Sequence, residues 1–182
     1  PCLGTPRLQT RPLTTPRRPA FRAPTTTAPP PSAQGSQRRV SIRFVMDLSG
    51  SMYTFNRIDG RKTRLLETAL FFMQSLDGLD AEYEYSMVGH SGSGPEAEKL
   101  IAWGEPPQGE RKRLQLLQKM AAHTQYCHPG DQTYEASALA IKETADRAAD
   151  ERFVFIVSDA DLARYGKAPA EWNAILTSTP SV

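Results

Sequence analysis

One carboxylate and two hydroxyls stand at alternate positions, Asp47, Ser49 and Ser51, directly after the apolar run Val40-Ser41-Ile42-Arg43-Phe44-Val45-Met46. That run is β-branched and aromatic, as a strand should be, and Leu48 and Gly50 let the chain turn at its end. Asp47 is therefore expected where strand becomes loop. Mg²⁺ is a hard ion that takes oxygen ligands in a tight octahedron at roughly 2.0 to 2.1 Å and commonly keeps positions for water or an outside anion. An alternating Asp-x-Ser-x-Ser offers three such oxygens. Because serine hydroxyls are neutral, an ion held mainly by them keeps charge with which to attract a carboxylate from a partner. The same three residues equally describe a loop whose Asp and Ser cap the next helix.

Two further stretches bear on that choice. Gly130-Asp131-Gln132-Thr133 precedes a helix of small and apolar residues, Tyr134 to Ile141, so Thr133 is a loop hydroxyl at a helix start. Phe153-Val154-Phe155-Ile156-Val157-Ser158-Asp159 reads as a buried strand that, like the first, delivers an aspartate at its carboxyl end. In open α/β sheets, ligands bind outside the carboxyl ends of the strands, where the strand order reverses.

The positioning elements follow from periodicity. Leu65, Leu66, Ala69, Leu70, Met73 and Leu76 recur at helical spacing and predict a crossover helix over 63–76. Tyr83 to Val88 alternates as a second strand. Leu100 to Trp103 predicts a short edge strand antiparallel to it. A basic helix over 110–124 should turn Leu114, Leu117, Met120 and Ala121 inward, and a short helix near 169–177 closes the chain. The expected fold class is α/β: a doubly wound, mostly parallel, Rossmann-like sheet in three layers. It is expected to be truncated after its fourth strand, lacking its last strand or strands and helix, which leaves the strand at 153–158 as an open apolar edge and the chain prone to aggregate.

Asp47-x-Ser49-x-Ser51, then Thr133 with Ala138-Leu139 after it, then Asp159 behind an apolar strand, together resemble a von Willebrand factor type A domain over about residues 40–178. The resemblance implies a metal-ion-dependent adhesion site. Ser49, Ser51 and Thr133 would contact Mg²⁺ (or Mn²⁺/Ca²⁺), Asp47 and Asp159 would bind it directly or through water, and an acidic residue of a protein partner would complete the shell. It further implies the carboxyl-terminal module of a larger AAA-type ATPase-like mitochondrial protein, so that the partner is either a separate protein or another module of the parent. The chain departs from the family's common Gly-Gly-Thr at Gly130-Asp131-Gln132-Thr133. If Asp131 coordinates, it weakens capture of an outside carboxylate; if it caps the helix, nothing changes. Asp161 is a rival for Asp159.

Charge is split along the chain. Residues 1–39 carry seven arginines, nine prolines and seven threonines and no Lys, Asp or Glu, while the other 15 of the 22 basic residues face all 20 acids, a net of −5. The first 39 residues are expected to be a disordered arm and 40–182 the folded domain. Pro at this density breaks the amphipathic helix of a transit peptide, and the arm lacks the interleaved aromatics of a nucleic-acid binder. The chain opens on Pro1 and is expected to be a fragment, so no targeting signal is legible. No stretch is long and apolar enough for a membrane span. Two cysteines far apart, Cys2 and Cys127, make no disulfide framework and fit a reducing, intracellular setting.

Other chemistries are poorer fits. Gly89-His90-Ser91-Gly92-Ser93 approaches the Gly-x-Ser-x-Gly nucleophile elbow of a serine hydrolase, with His123 or His128 as base. It has Ser93 where the turn needs glycine, and Gly94-Pro95 opposes the following helix. His123, Cys127 and His128 lack a fourth ligand at zinc-like spacing. There is no phosphate-binding loop, since Gly166-Lys167 runs into Ala168, and an aspartyl phosphotransferase would need Asp at Ser49. No catalytic residue is expected. The remaining alternatives are a serine or metal-assisted hydrolase and a non-binding structural remnant.

Overall fold

The computed structural model describes residues 38–92, 98–128, 130–159, 166 and 168–182. The expected arm up to residue 37, with Cys2, lies outside the described residues, as do Ser93, Gly94, Pro95, Asp161 and Lys167.

Strand β1, Val40–Asp47, is the centre of the fold, with seven of its eight residues buried. Four strands stand in the order β3-β2-β1-β4. Strands β2 (Tyr83–His90) and β4 (Glu151–Val157) run parallel to β1, while β3 (Glu98–Ile101) runs antiparallel to β2. Parallel neighbours demand crossovers, and helices α3 (Arg61–Ser75) and α4 (Gly109–Tyr126) supply them on one face, with α5 (Thr133–Ala145) against the other. Because side chains alternate along a strand, Ile42, Phe44 and Met46 pack with Leu65, Ala69 and Met73 of α3, and Val45 packs with Val88, Ala136 and Ala140 under α5. The Phe44 and Phe72 rings stack at 4.0 Å. This is the expected doubly wound, mostly parallel α/β architecture.

One local reading is corrected. In α4 the buried residues are Arg113, Leu116, Met120 and Thr124, whereas Leu114 is 56% exposed. Arg113 occupies the inward stripe because its guanidinium reaches Asp77 at 2.7 Å and the Pro107 carbonyl at 3.3 Å, which lets its stem lie in the core. Strand β4 is the open apolar edge expected: Phe153 and Phe155 are 43% and 45% exposed, since β4 has β1 on one side and no other described strand on its other edge. Two short helices, α1 (Gly50–Thr54) and α2 (Asn56–Asp59), fill the turn after β1. A last helix, α6, runs Pro169–Leu176.

The open β4 edge has a measurable consequence. Phe153→Lys places a charge on an exposed edge residue and should suppress concentration-dependent association of this chain, read by light scattering, with a stability change within about 0.5 kcal/mol. Unchanged association would show that this edge is not the adhesive surface.

The far end of the sheet is tied by charge. Glu84 of β2 accepts from the Ser41 hydroxyl at 2.5 Å and from the Arg147 Nε and terminal nitrogen at 3.0 and 2.7 Å, joining β1, β2 and the segment after α5. These donors, Arg147 foremost, hold its carboxyl below the usual range. An unfolded Glu titrates near about 4.3, so the folded value is the lower one; the pair's contribution is complete above that pH and fades as pH falls through the folded value. Glu84→Gln should cost about 1–3 kcal/mol at pH 7 and flatten the acid limb of a stability-versus-pH curve below about pH 4.3.

Candidate metal centre

The candidate site lies at the carboxyl ends of β1, β2 and β4. Packing sets the chain's path there. A methyl at Gly89 would stand 2.3 Å from the Leu48 side chain, so only glycine lets Leu48 seat itself, fully buried, against β2. The Leu48 N–H then donates to the His90 carbonyl at 2.8 Å, which pins the loop to the strand.

Asp47 is wholly buried, and both of its oxygens are used: Oδ1 accepts the Ser49 N–H at 2.9 Å and Oδ2 the Ser158 hydroxyl at 2.8 Å. Its carboxylate thereby joins the ends of β1 and β4. The Ser49 and Ser51 hydroxyl oxygens lie 3.0 Å apart, and Ser51 donates to Asp159 Oδ2 at 2.7 Å. Ser49, Ser51 and Asp159 thus form one continuous row of oxygens, with Asp47 bracing Ser49 from below.

Thr133 begins α5 a short way off. Its backbone N–H donates to Asp131 Oδ1 at 2.8 Å and its hydroxyl to the same oxygen at 2.5 Å. Asp131 therefore takes the capping role, satisfying a free donor at the helix start. Beside it, His90 pairs in register with Asp47 across β1 and β2, and its Nε2 lies 3.4 Å from the Thr133 hydroxyl. Its Nδ1, 3.7 Å from Asp131, is a buried atom with no hydrogen-bond partner. Burial holds the imidazole below its usual pKa, against the opposing pull of Asp47, Asp131, Glu135 and Asp159. His90 thus stands between Asp47, its partner in register, and the Thr133–Asp131 pair.

The donor set suits a hard divalent ion. Ser49, Ser51 and Asp159 present three side-chain oxygens in succession, linked by hydrogen bonds of 3.0 and 2.7 Å, and oxygen is the donor that such an ion takes. Among the described residues, no group of three or more His, Cys, Asp or Glu is placed to hold a metal. The row consists mostly of hydroxyls, which suits Mg²⁺, Mn²⁺ or Ca²⁺ better than a soft metal.

No family model matches the chain. Among solved structures, the pilus adhesin SpaC from Lactobacillus rhamnosus GG superposes on 69% of this chain and 16% of its own with a TM-score of 0.55 at 16% identity, a likeness of fold. The vWF domain of the type V pili tip protein Mfa5 from Porphyromonas gingivalis aligns over 65% of this chain and 36% of its own, with a TM-score of 0.49 at 18% identity. Over 146 residues, 80% of its length, the chain is 41% identical to von Willebrand factor A domain-containing protein 8 of Mus musculus. This is a von Willebrand factor A-type fold. The chain spans 8% of that mouse relative.

The von Willebrand factor A reading had not marked three residues that the structure puts at the site. Ser158 holds Asp47, and its signal was its place beside Asp159 at a strand end. His90 becomes visible once β1 and β2 are set in register, since both strands begin and end together. Arg61 gave no signal: it sits two residues after Asp59 with Gly60 between, yet its guanidinium donates to Asp159 Oδ2 at 2.5 Å.

Ser91 and His123 also meet, Oγ to Nε2 at 3.0 Å. Ser91 is 5% exposed, and among the described residues no carboxylate orients His123. Cys127 is half-buried with its thiol 3.5 Å from the Leu48 carbonyl, and burial raises its pKa, which leaves it a poor thiolate ligand.

Proposed function

We propose that this domain holds Mg²⁺, or Mn²⁺ or Ca²⁺ in its place, on Ser49, Ser51, Thr133 and Asp159, with Asp47 bracing the loop and reaching the ion through water. The bound ion engages an acidic residue of a protein partner. The gathering of the Ser49, Ser51 and Asp159 oxygens into one row at the carboxyl ends of β1 and β4 carries the reading. Two of those three donors are neutral, so the ion would retain charge for an incoming carboxylate. Thr133 joins by turning its hydroxyl from Asp131. Asp131 stays with the helix start, where its backbone bond keeps it, and does not quench the ion.

The domain acts in this reading as a binding module and not as a catalyst. Ser91 is 5% exposed, and among the described residues no carboxylate bonds the His123 ring that it meets, which favours binding over a nucleophile and its base. The partner is a separate protein or another module of an AAA-type ATPase-like mitochondrial parent.

Calorimetric titration with Mg²⁺ tests the proposal. Unaltered protein should bind one ion, and Ser49→Ala and Ser51→Ala should each lose at least about tenfold in affinity. Unaltered binding in both variants would contradict it.

A further inference from the structure

Arg61 follows Gly60, which takes the left-handed φ of 70° that turns the chain into α3. Its side chain is held at three points. The Nε and one terminal nitrogen reach Asp59 Oδ2 at 2.8 and 2.5 Å, the other terminal nitrogen donates to Asp159 Oδ2 at 2.5 Å, and the guanidinium carbon lies 4.9 Å from the centroid of the Phe55 ring. Asp59, followed by Asp159, favours the charged form, so the guanidinium is a permanent cation. Asp159 Oδ2 is the same oxygen that accepts the Ser51 hydroxyl. A cation of this chain therefore stands on the one carboxylate oxygen of the proposed ion row.

A guanidinium at hydrogen-bond distance from that oxygen and a divalent cation bonded to it would repel strongly in a partly desolvated site. One must give way. The guanidinium is a rigid plane, so Arg61 keeps its anchor while leaving Asp159 only by moving together with Asp59, which ends α2 with its side chain 37% exposed. A cleft of about 330 Å³ adjoins it, with Arg64, Leu65 and Thr68 of α3 on one side and Val157 and Ser158 on the other, so the side chain has room to swing. We infer that Arg61 is a tethered counter-cation on Asp159 that a divalent ion must displace, and that it sets the ion affinity of the Ser49–Ser51–Asp159 row. The inference rests on the function proposed above. It adds that the site exchanges one cation for another, with Arg61 holding Asp159 ready in the ion-free state.

The test pairs two readouts that this role moves in opposite directions. Mg²⁺ is titrated calorimetrically into the unaltered chain, Arg61→Gln and Arg61→Lys, with Ser49→Ala as control, and each protein is melted in EDTA. Arg61→Gln should bind Mg²⁺ about tenfold more tightly, since the competing charge is gone. It should also melt about 2–4 °C lower in EDTA, since the ion pair of Asp159 with Arg61 is gone. Arg61→Lys should stay near the unaltered affinity. Tighter binding by Arg61→Gln, including binding that emerges only in that variant, supports the exchange. Equal or weaker binding by Arg61→Gln, with Ser49→Ala weaker than both, overturns it and leaves the ion site standing with Arg61 as a structural ion pair. No Mg²⁺ binding by either the unaltered chain or Arg61→Gln overturns the ion site itself.

Discussion

Asp47→Ala should abolish Mg²⁺ binding and lower stability by about 2–4 kcal/mol. The two effects have separable causes. Asp47 is fully buried and is the acceptor for the Ser49 N–H and the Ser158 hydroxyl, so its removal breaks two hydrogen bonds at the joint between β1 and β4. Asp47→Asn isolates the ion effect. An amide oxygen still accepts from Ser49, and the amide nitrogen can donate to the Ser158 hydroxyl, so the fold should lose about 1 kcal/mol or less. The negative charge behind the ion is gone, and affinity should fall by about 10–100-fold. Chemical denaturation and calorimetry on the two variants check both numbers. Full Mg²⁺ affinity in a folded Asp47→Asn would remove Asp47 from the site.

Phe44→Ala should cost about 3–5 kcal/mol, the range for emptying a large aromatic site in a packed core. Phe44 is 1% exposed on the central strand. It stacks on Phe72 of α3 at 4.0 Å, on Phe155 of β4 at 5.7 Å, and meets Tyr85 of β2 edge-on at 6.1 Å. One ring thus joins three strands and the crossover helix, and surrounding backbone fixed in the sheet cannot collapse to fill its space. Stability losses of this size are a large share of what a domain has, so the variant should be partly unfolded at 37 °C. A loss under about 1 kcal/mol in urea denaturation would show that α3 repacks freely against the sheet.

Much of this architecture is legible in the residues, and the exceptions have physical causes. The strands at Val40 and Tyr83 announce themselves because each buries a run of β-branched, aromatic or small residues between two helix layers. Phe153 and Phe155 carry the same signature, and their exposure follows from the place of β4 at the sheet edge, which the strand count along the chain already implies. Leu114 fits the inward stripe of α4 by spacing alone; Arg113 displaces it because Asp77 and the Pro107 carbonyl let an arginine stem do an aliphatic job. Helices α1 and α2 escape periodicity because they are five and four residues long, too short to show a repeat.

The site divides in the same way. Asp47, Ser49 and Ser51 are adjacent in sequence, and their spacing already implies a shared face. Thr133 is legible as a helix start, and its bond to Asp131 is the local chemistry expected of an acid two residues before a helix. Arg61 and His90 depend on distant pairings, Arg61 on Asp159 and His90 on the β1–β2 register, which no local pattern encodes.

The location of the ion is the central claim, and paramagnetic relaxation by Mn²⁺ in an ¹⁵N-labelled sample measures it directly. Sub-stoichiometric Mn²⁺ should broaden the amide signals of Ser49, Ser51, Thr133 and Asp159 first, with Mg²⁺ restoring them in competition. Broadening centred on another acidic patch, or spread evenly over the surface while these four signals persist, would contradict the account.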